Sequence, residues 1–259
     1  MNGTEKAGKA IFLAAIAAFG IQCLIRGNVI VGLEPVSLSG MSRGIAGWIT
    51  GVALLAAVAA ALPRATARYG ALAIAVILFL WVLLLHVPVL VSTPPSGNTW
   101  TPAFEVFAMA GAALALFGIA SLPSLGDREL SARRAILIGR LCYAVSLPVF
   151  GVLHYMYIGY VASVIPSWIP AHVAFGYVTG AAHIAAGVSI ATGMLARVAA
   201  YCVAAMFGSW VIILHTPRVL AHLHDANEWT SLIVALSMCG GALIVAGTLR
   251  KTEVPAADR

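Results

Sequence analysis

Two histidines occur in one repeated setting. Trp81, Leu85, His86 and Pro88 recur as Trp210, Leu214, His215 and Pro217, each within a long apolar run. Pro88 and Pro217 each remove a backbone donor and free a carbonyl one turn earlier. Each imidazole therefore has two uses open to it: satisfying a carbonyl at the helix end, or holding a ligand. The second half of the chain adds His154, His172, His183, His222 and His224, with Asp225 and Glu228 close to the last two. Such groups suit a transition metal or hydrogen bonds to a quinone. The metal-ligand set expected here is His154 and His215, joined by His222, His224 or Glu228 from the following loop. His222 and His224 beside Asp225 also read as a plain solvated loop.

The elements that position these groups are membrane helices. The 259 residues are 61% hydrophobic and 9% charged, with mean hydropathy +0.99, whereas a soluble domain carries about 25% charged residues. Apolar runs near the roughly 20 residues that cross a bilayer fall at Lys6–Arg26, Ile45–Leu62, Tyr69–Val91, Trp100–Leu122, Ala135–Tyr157, His172–Met194, Arg197–Leu220 and Trp229–Leu249. The expected fold is all-α and integral to the membrane, with about eight spans. Cys23, Cys142, Cys202 and Cys239 form no CxxC pair, which argues against a thiol-exchange enzyme.

Charge orients the spans. Lys6, Lys9, Arg64, Arg68, Arg128, Arg133, Arg134, Arg140, Arg197, Arg250, Lys251 and Arg259 fall on one side; Arg26, Arg43 and Arg218 fall on the other. The positive-inside rule puts the first side, and both termini, in the cytoplasm. The net charge of +6 is thus explained by loops at a membrane face, with no nucleic-acid partner. A multi-pass membrane protein is expected.

Sliding the chain against itself reveals a duplication. At an offset of 129, Thr50-Gly51 meets Thr179-Gly180, Arg68 meets Arg197, and the histidine motifs coincide. Asn98, Trp100 and Thr101 meet Asn227, Trp229 and Thr230, and Gly111 and Gly118 meet Gly240 and Gly247. At an offset of 131, Gly8-Lys9 meets Gly139-Arg140 and Phe19-Gly20 meets Phe150-Gly151. Two tandem four-helix bundles are expected, at residues 1–122 and 135–250, with a linker at 123–134 and a tail at 251–259. The first span, matched by the fifth, is expected to be a retained membrane helix, not a signal peptide. The even number of crossings per unit implies a pseudo-two-fold axis along the membrane normal.

Matched Asn98 and Asn227 are expected helix N-caps, with Trp100 and Trp229 in the interfacial belt. Gly176, Gly180 and Gly187 suit a close helix contact. At 1.5 Å rise per residue, His154 and His215 would lie within roughly 5 Å of the outer boundary and His183 roughly 16 Å below it. That depth would keep His183 out of any cluster with His154. A titratable group at mid-membrane is nonetheless a candidate ligand-binding residue, and its counterpart in the first unit is Leu54. Glu105, matched to Val234, is a second asymmetric polar group, within reach of pairing with Arg43 or Arg26.

The stretch around His154 to Gly187, GVLHYMYIGYVASVIPSWIPAHVAFGYVTGAAHIAAG, resembles the DoxX family of small bacterial membrane proteins. The matching positions are His154, Pro166, Pro170, Tyr177, Thr179 and Gly180; the first unit shares them only through the duplication, with Cys23 in place of the histidine. The resemblance implies a four-helix membrane unit and, for some relatives, association with quinone-linked sulfur oxidation or redox-stress complexes. It also implies an acidic residue near the position of His183, where this chain departs.

Three functions stay open. One is a redox-associated subunit, with a redox protein partner, binding a quinone or metal through His154, His215 and His183. Another is a small-molecule permease with its path between the repeats, past His183 and Glu105. The third is a non-catalytic assembly subunit. The orientation is directly testable: a cysteine placed in the Thr93–Gly97 loop should react with an impermeant thiol reagent from outside, and one at Gly126 should not. The reverse labelling pattern would overturn the orientation.

Overall fold

The computed structural model describes residues 1–30, 32–36, 39–93, 96–122 and 129–249. Part of the expected linker, including Gly126 and Arg128, and the whole expected tail lie outside the described residues. Eight helices are long and apolar enough to span a membrane, and no strand occurs among the described residues. They are α1 (Gly3–Arg26), α2 (Gly40–Ala61), α3 (Ala67–Ser92), α4 (Gly97–Ser121) and α5 (Glu129–Met156), then, after a short α6 (Ile158–Val164), α7 (His172–Thr192), α8 (Ala196–Ala221) and α9 (Ala226–Thr248).

Local sequence sets several of the helix ends. Asn2 caps α1 in a reciprocal capping box with Glu5, satisfying two of the orphan amides of the first turn. Asp225, not Asn227, caps α9, accepting from the Asn227 amide at 2.8 Å. Ser96, not Asn98, precedes α4. The helices begin earlier than the Asn-x-Trp-Thr motif suggests, and both asparagines fall in first turns. The Asn2 side chain donates to the Gly247 carbonyl at 3.0 Å, so the start of α1 and the end of α9 lie on the same face.

The packing order differs from two self-contained bundles. Neighbours run in a ring, α1–α2–α3–α4–α5–α7–α8–α9 and back to α1, with α4 and α9 also touching across the middle. Helix one of each unit thus packs on helix four of the other. The α4 and α9 spans are the most buried of the eight. Each bundle therefore has three helices of its own unit and shares the central α4–α9 pair.

Lipid offers no hydrophobic drive between helices, so close backbone approach through small residues must supply the contact energy. The glycines do this in symmetric pairs. A Cβ on Gly111 would lie 2.6 Å from the Gly139 carbonyl, and one on Gly8 would lie 2.9 Å from the Gly240 carbonyl. These pairs join the units. Within each unit, Gly51 faces Gly20 and Gly180 faces Gly151. Gly187 and Gly176 continue the second seam against Pro148 and against Ile158 and Val161.

The duplication is also visible in backbone detail. Val82–His86 and Val211–His215 are both π-helical, at the offset of 129 read from the sequence. The inter-unit glycines give a stability prediction. A Cβ on Gly139 would sit 2.6 Å from the Ala115 nitrogen, with rigid backbone as its neighbour. Gly139→Ala should destabilise by about 1–3 kcal/mol, the usual cost of overpacking. Gly159→Ala, with open space around the new methyl, should not. Thermal unfolding in detergent distinguishes them, and equal midpoints would refute the tight crossing.

Candidate functional site

Bundle two holds a half-open cavity of about 110 Å³ between α4, α5, α7, α8 and α9. Its wall is formed by Phe150, Leu153 and His154 of α5, His183 of α7, Phe207 and Trp210 of α8, and Met238 of α9. The first unit completes it with Thr101 and Glu105 from α4. That contribution is a direct result of the exchanged fourth helix.

His154 and His183 meet there, with ring centroids 5.0 Å apart. This corrects the depth argument, which ended helix five at Tyr157. The helical column continues past a break at Tyr157 into α6, whose Ile158 and Val161 pack on Gly176 of α7. His154 is thereby an interior residue of the column, level with Gly180 and hence within a turn of His183.

Both rings are held the same way. His183 Nδ1 donates to the Thr179 carbonyl at 2.9 Å, and His154 Nδ1 donates to the Phe150 carbonyl at 2.8 Å. Each bond runs back one turn on the residue's own helix. In the neutral imidazole this leaves Nε2 as an acceptor, and neither Nε2 has a hydrogen-bond partner among the described residues. Trp210 stacks on His154 at 6.1 Å, while Phe150 and Phe207 approach His183 edge-on at 6.0 and 5.7 Å. His183 is 1% exposed. Glu105 makes no hydrogen bond or ion pair among the described residues; Arg26 instead donates to the His224 carbonyl.

The other sequence candidates do not join the site. His215 does not line the cavity, and its Nδ1 is buried without a partner among the described residues. His222 and His224 are exposed in the loop before α9, where His222 Nδ1 bonds the Arg218 carbonyl at 3.2 Å. Glu228 is engaged by Arg218 through two hydrogen bonds of 2.8 and 2.6 Å. No group of three His, Cys, Asp or Glu side chains among the described residues could hold a metal ion. The expected set of His154, His215, His222 and His224 does not converge among the described residues: two of its members belong to the loop and a third, His215, is not part of the cavity wall.

The matching positions of bundle one are apolar. Cys23, Leu54 and Val234 stand where His154, His183 and Glu105 stand in bundle two, and all three are buried in the apolar core. The described residues of the loop after α1 pack inward at one end of bundle one. Ile30 and Leu33 are buried, His86 Nε2 donates to the Leu33 carbonyl at 2.9 Å, and Glu34 is 5% exposed. Glu34 is a buried group that the sequence reading passed over. Its only sequence signal is a lone carboxylate in an otherwise apolar outer loop. Thr50 donates to it at 2.7 Å, while its second oxygen has no partner among the described residues.

No protein-family model, curated protein or solved structure matches this chain. Burial raises the Glu34 carboxyl above the usual carboxylate range, against the opposing Thr50 bond. The folded state then holds its proton more tightly than the unfolded chain does. Stability from this group falls as pH rises from the ordinary Glu value, about 4.3, toward the raised folded value. Glu34→Gln should flatten that decline and leave the protein as stable as the parent, or more so, at pH 7. Thermal midpoints from pH 4 to 8 measure this; a steeper decline in the variant would contradict it.

Proposed function

We propose that this chain binds the head group of a reduced membrane quinone in the cavity of bundle two, as a redox-associated membrane subunit. One observation carries the reading: two imidazoles whose Nδ1 protons are committed to backbone carbonyls leave both Nε2 acceptors free in one aromatic-walled cavity. A ligand that completes such a site must bring hydroxyl or other donors, as a quinol does. At about 110 Å³ the half-open cavity is smaller than the roughly 150 Å³ that accepts benzene, so it seats the hydroxyl-bearing edge of a quinol ring and not the whole ring. Trp210, Phe150 and Phe207 supply flat apolar walls. The resemblance of the second unit to the DoxX family agrees with a quinone-linked role in the bacterial inner membrane, alongside a redox protein partner. A metal is the weaker form of this reading, for want of a third ligand.

A second reading has its own support. Glu105 and Thr101 come from one unit and the imidazoles from the other, so the cavity lies between repeats, as substrate sites of duplicated transporters do. A small cationic or donor-rich solute carried past Glu105 would fit that arrangement.

Purification in mild detergent followed by solvent extraction and redox difference spectroscopy tests the first reading. Near-stoichiometric quinone is expected in the parent protein, with roughly tenfold loss in His154→Ala and His183→Ala, the scale of one hydrogen bond to a buried group. His215→Ala should retain it. Quinone absent from the parent, or lost equally from all three variants, would defeat the proposal. Solute uptake by reconstituted vesicles that depends on Glu105 would replace it with the permease reading.

A further inference from the structure

A second cavity, of about 240 Å³, opens at the opposite end of the bundle, where α1 begins and α9 ends. It is independent of the histidine site. Arg133 and Arg140 of α5 line it, with Glu5 of α1 and the Gly247–Thr248 end of α9. Ile119, Ile136 and Leu137 form its apolar side. Arg140 Nε is buried and has no hydrogen-bond partner among the described residues. An unsatisfied guanidinium donor in a membrane protein is costly, so the site lacks an acceptor.

The carboxylates nearby among the described residues do not supply it. Glu5 is committed to its own helix end, where it accepts from the Asn2 amide at 2.7 Å and lies 3.8 Å from the terminal ammonium. Glu129 pairs with Arg133 on the surface, both side chains more than half exposed. Such an exposed pair is weak and leaves Arg133 free to turn to a better partner. What remains is a polar recess with two guanidinium groups and an apolar flank whose Leu137 is 45% exposed. Guanidinium groups match phosphate oxygens in geometry as well as charge. Basic recesses between membrane helices at this kind of depth take anionic lipid head groups.

We propose that this recess binds a phosphate-bearing anion, carried by an anionic phospholipid whose acyl chain lies along Ile136 and Leu137. The lipid bridges α1, α5 and α9 and so ties the two units together at the end remote from the histidine cavity. Arg140 is the principal contact and Arg133 the secondary one. Basicity at this corner recurs in the repeat: Lys9 occupies the position matching Arg140. Lys9, however, spends its ammonium on the Leu62 carbonyl at 3.5 Å, so the first unit offers no equivalent site.

The test uses the full chain in detergent, titrated with short-chain phosphatidylglycerol, short-chain phosphatidylcholine or inorganic phosphate while thermal stability is followed. A saturable upward shift with phosphatidylglycerol is expected. It should need about fivefold more lipid in Arg140→Gln and be unchanged in Arg134→Gln, an exposed neighbour outside the recess. The same Arg140-dependent shift with inorganic phosphate alone would keep the anion site and assign it to a free phosphate. Shifts equal in Arg140→Gln and Arg134→Gln, or absent with all three additives, would overturn the proposal. Should Arg140→Gln fail to fold, Arg133→Gln at the exposed rim reads the same dependence, and mass spectrometry of lipid retained by the purified parent provides an independent measure.

Discussion

The contact on which this architecture depends is the crossing of each unit's first helix with the other unit's fourth. In water, apolar burial would hold such helices together; between lipid tails that term vanishes. What remains is dispersion, which falls steeply with distance, so the backbones must come close. Gly111 against Gly139 and Gly8 against Gly240 permit this, and each glycine has its counterpart in the repeat. The consequence is that neither half is a complete bundle. Each surrounds its interior with three of its own helices and the shared α4–α9 pair, reinforced by the buried Tyr143 hydroxyl donating to the Met238 carbonyl at 2.7 Å.

That exchange brings residues of both repeat units to one cavity. Three positions separate the bundles chemically: His154, His183 and Glu105 on one side, Cys23, Leu54 and Val234 on the other. Two of the polar residues belong to the second unit and one to the first, so the site could not have arisen within a single unit. Burying such groups is expensive unless they are bonded. Both imidazoles meet that cost by donating to a carbonyl of their own helix, which leaves their other nitrogens available to a ligand.

The helices and their repeat were legible because lipid imposes length and composition on every span; all eight begin and end within a few residues of the apolar runs, apart from earlier starts at α2 and α5. The asymmetric positions His183 and Glu105 were also legible, as departures from the repeat. Their meeting with His154 was not. It depends on α6 following helix five beyond Tyr157, where the expected span ends, and on α4 crossing to the other bundle, which no periodicity encodes. The glycines showed that close contacts exist but not which helix each would meet.

The paired histidines of the Trp-x3-Leu-His-x-Pro motif show the same limit from another side. Both lie at the end of a π-helical turn, which bonds i to i+5 and so brings a residue five positions on near the face of the first. A helical wheel drawn at 3.6 residues per turn misplaces His86 and His215 relative to Trp81 and Trp210. The wide turn also absorbs the donor lost at each proline: the Val87 and Thr216 amides reach back to Val82 and Val211. With motif and backbone identical, the two imidazoles still differ, because only His86 meets an inward-folded loop carbonyl at Leu33. The corresponding segment of the second unit, two residues shorter at the change of offset from 131 to 129, goes into α6 instead, leaving His215 Nδ1 without a partner among the described residues. The same loop that satisfies His86 packs Ile30, Leu33 and Glu34 inward at one end of bundle one. The two bundles therefore differ in the segment after the first helix of each unit, the place where the repeat changes register from 131 to 129.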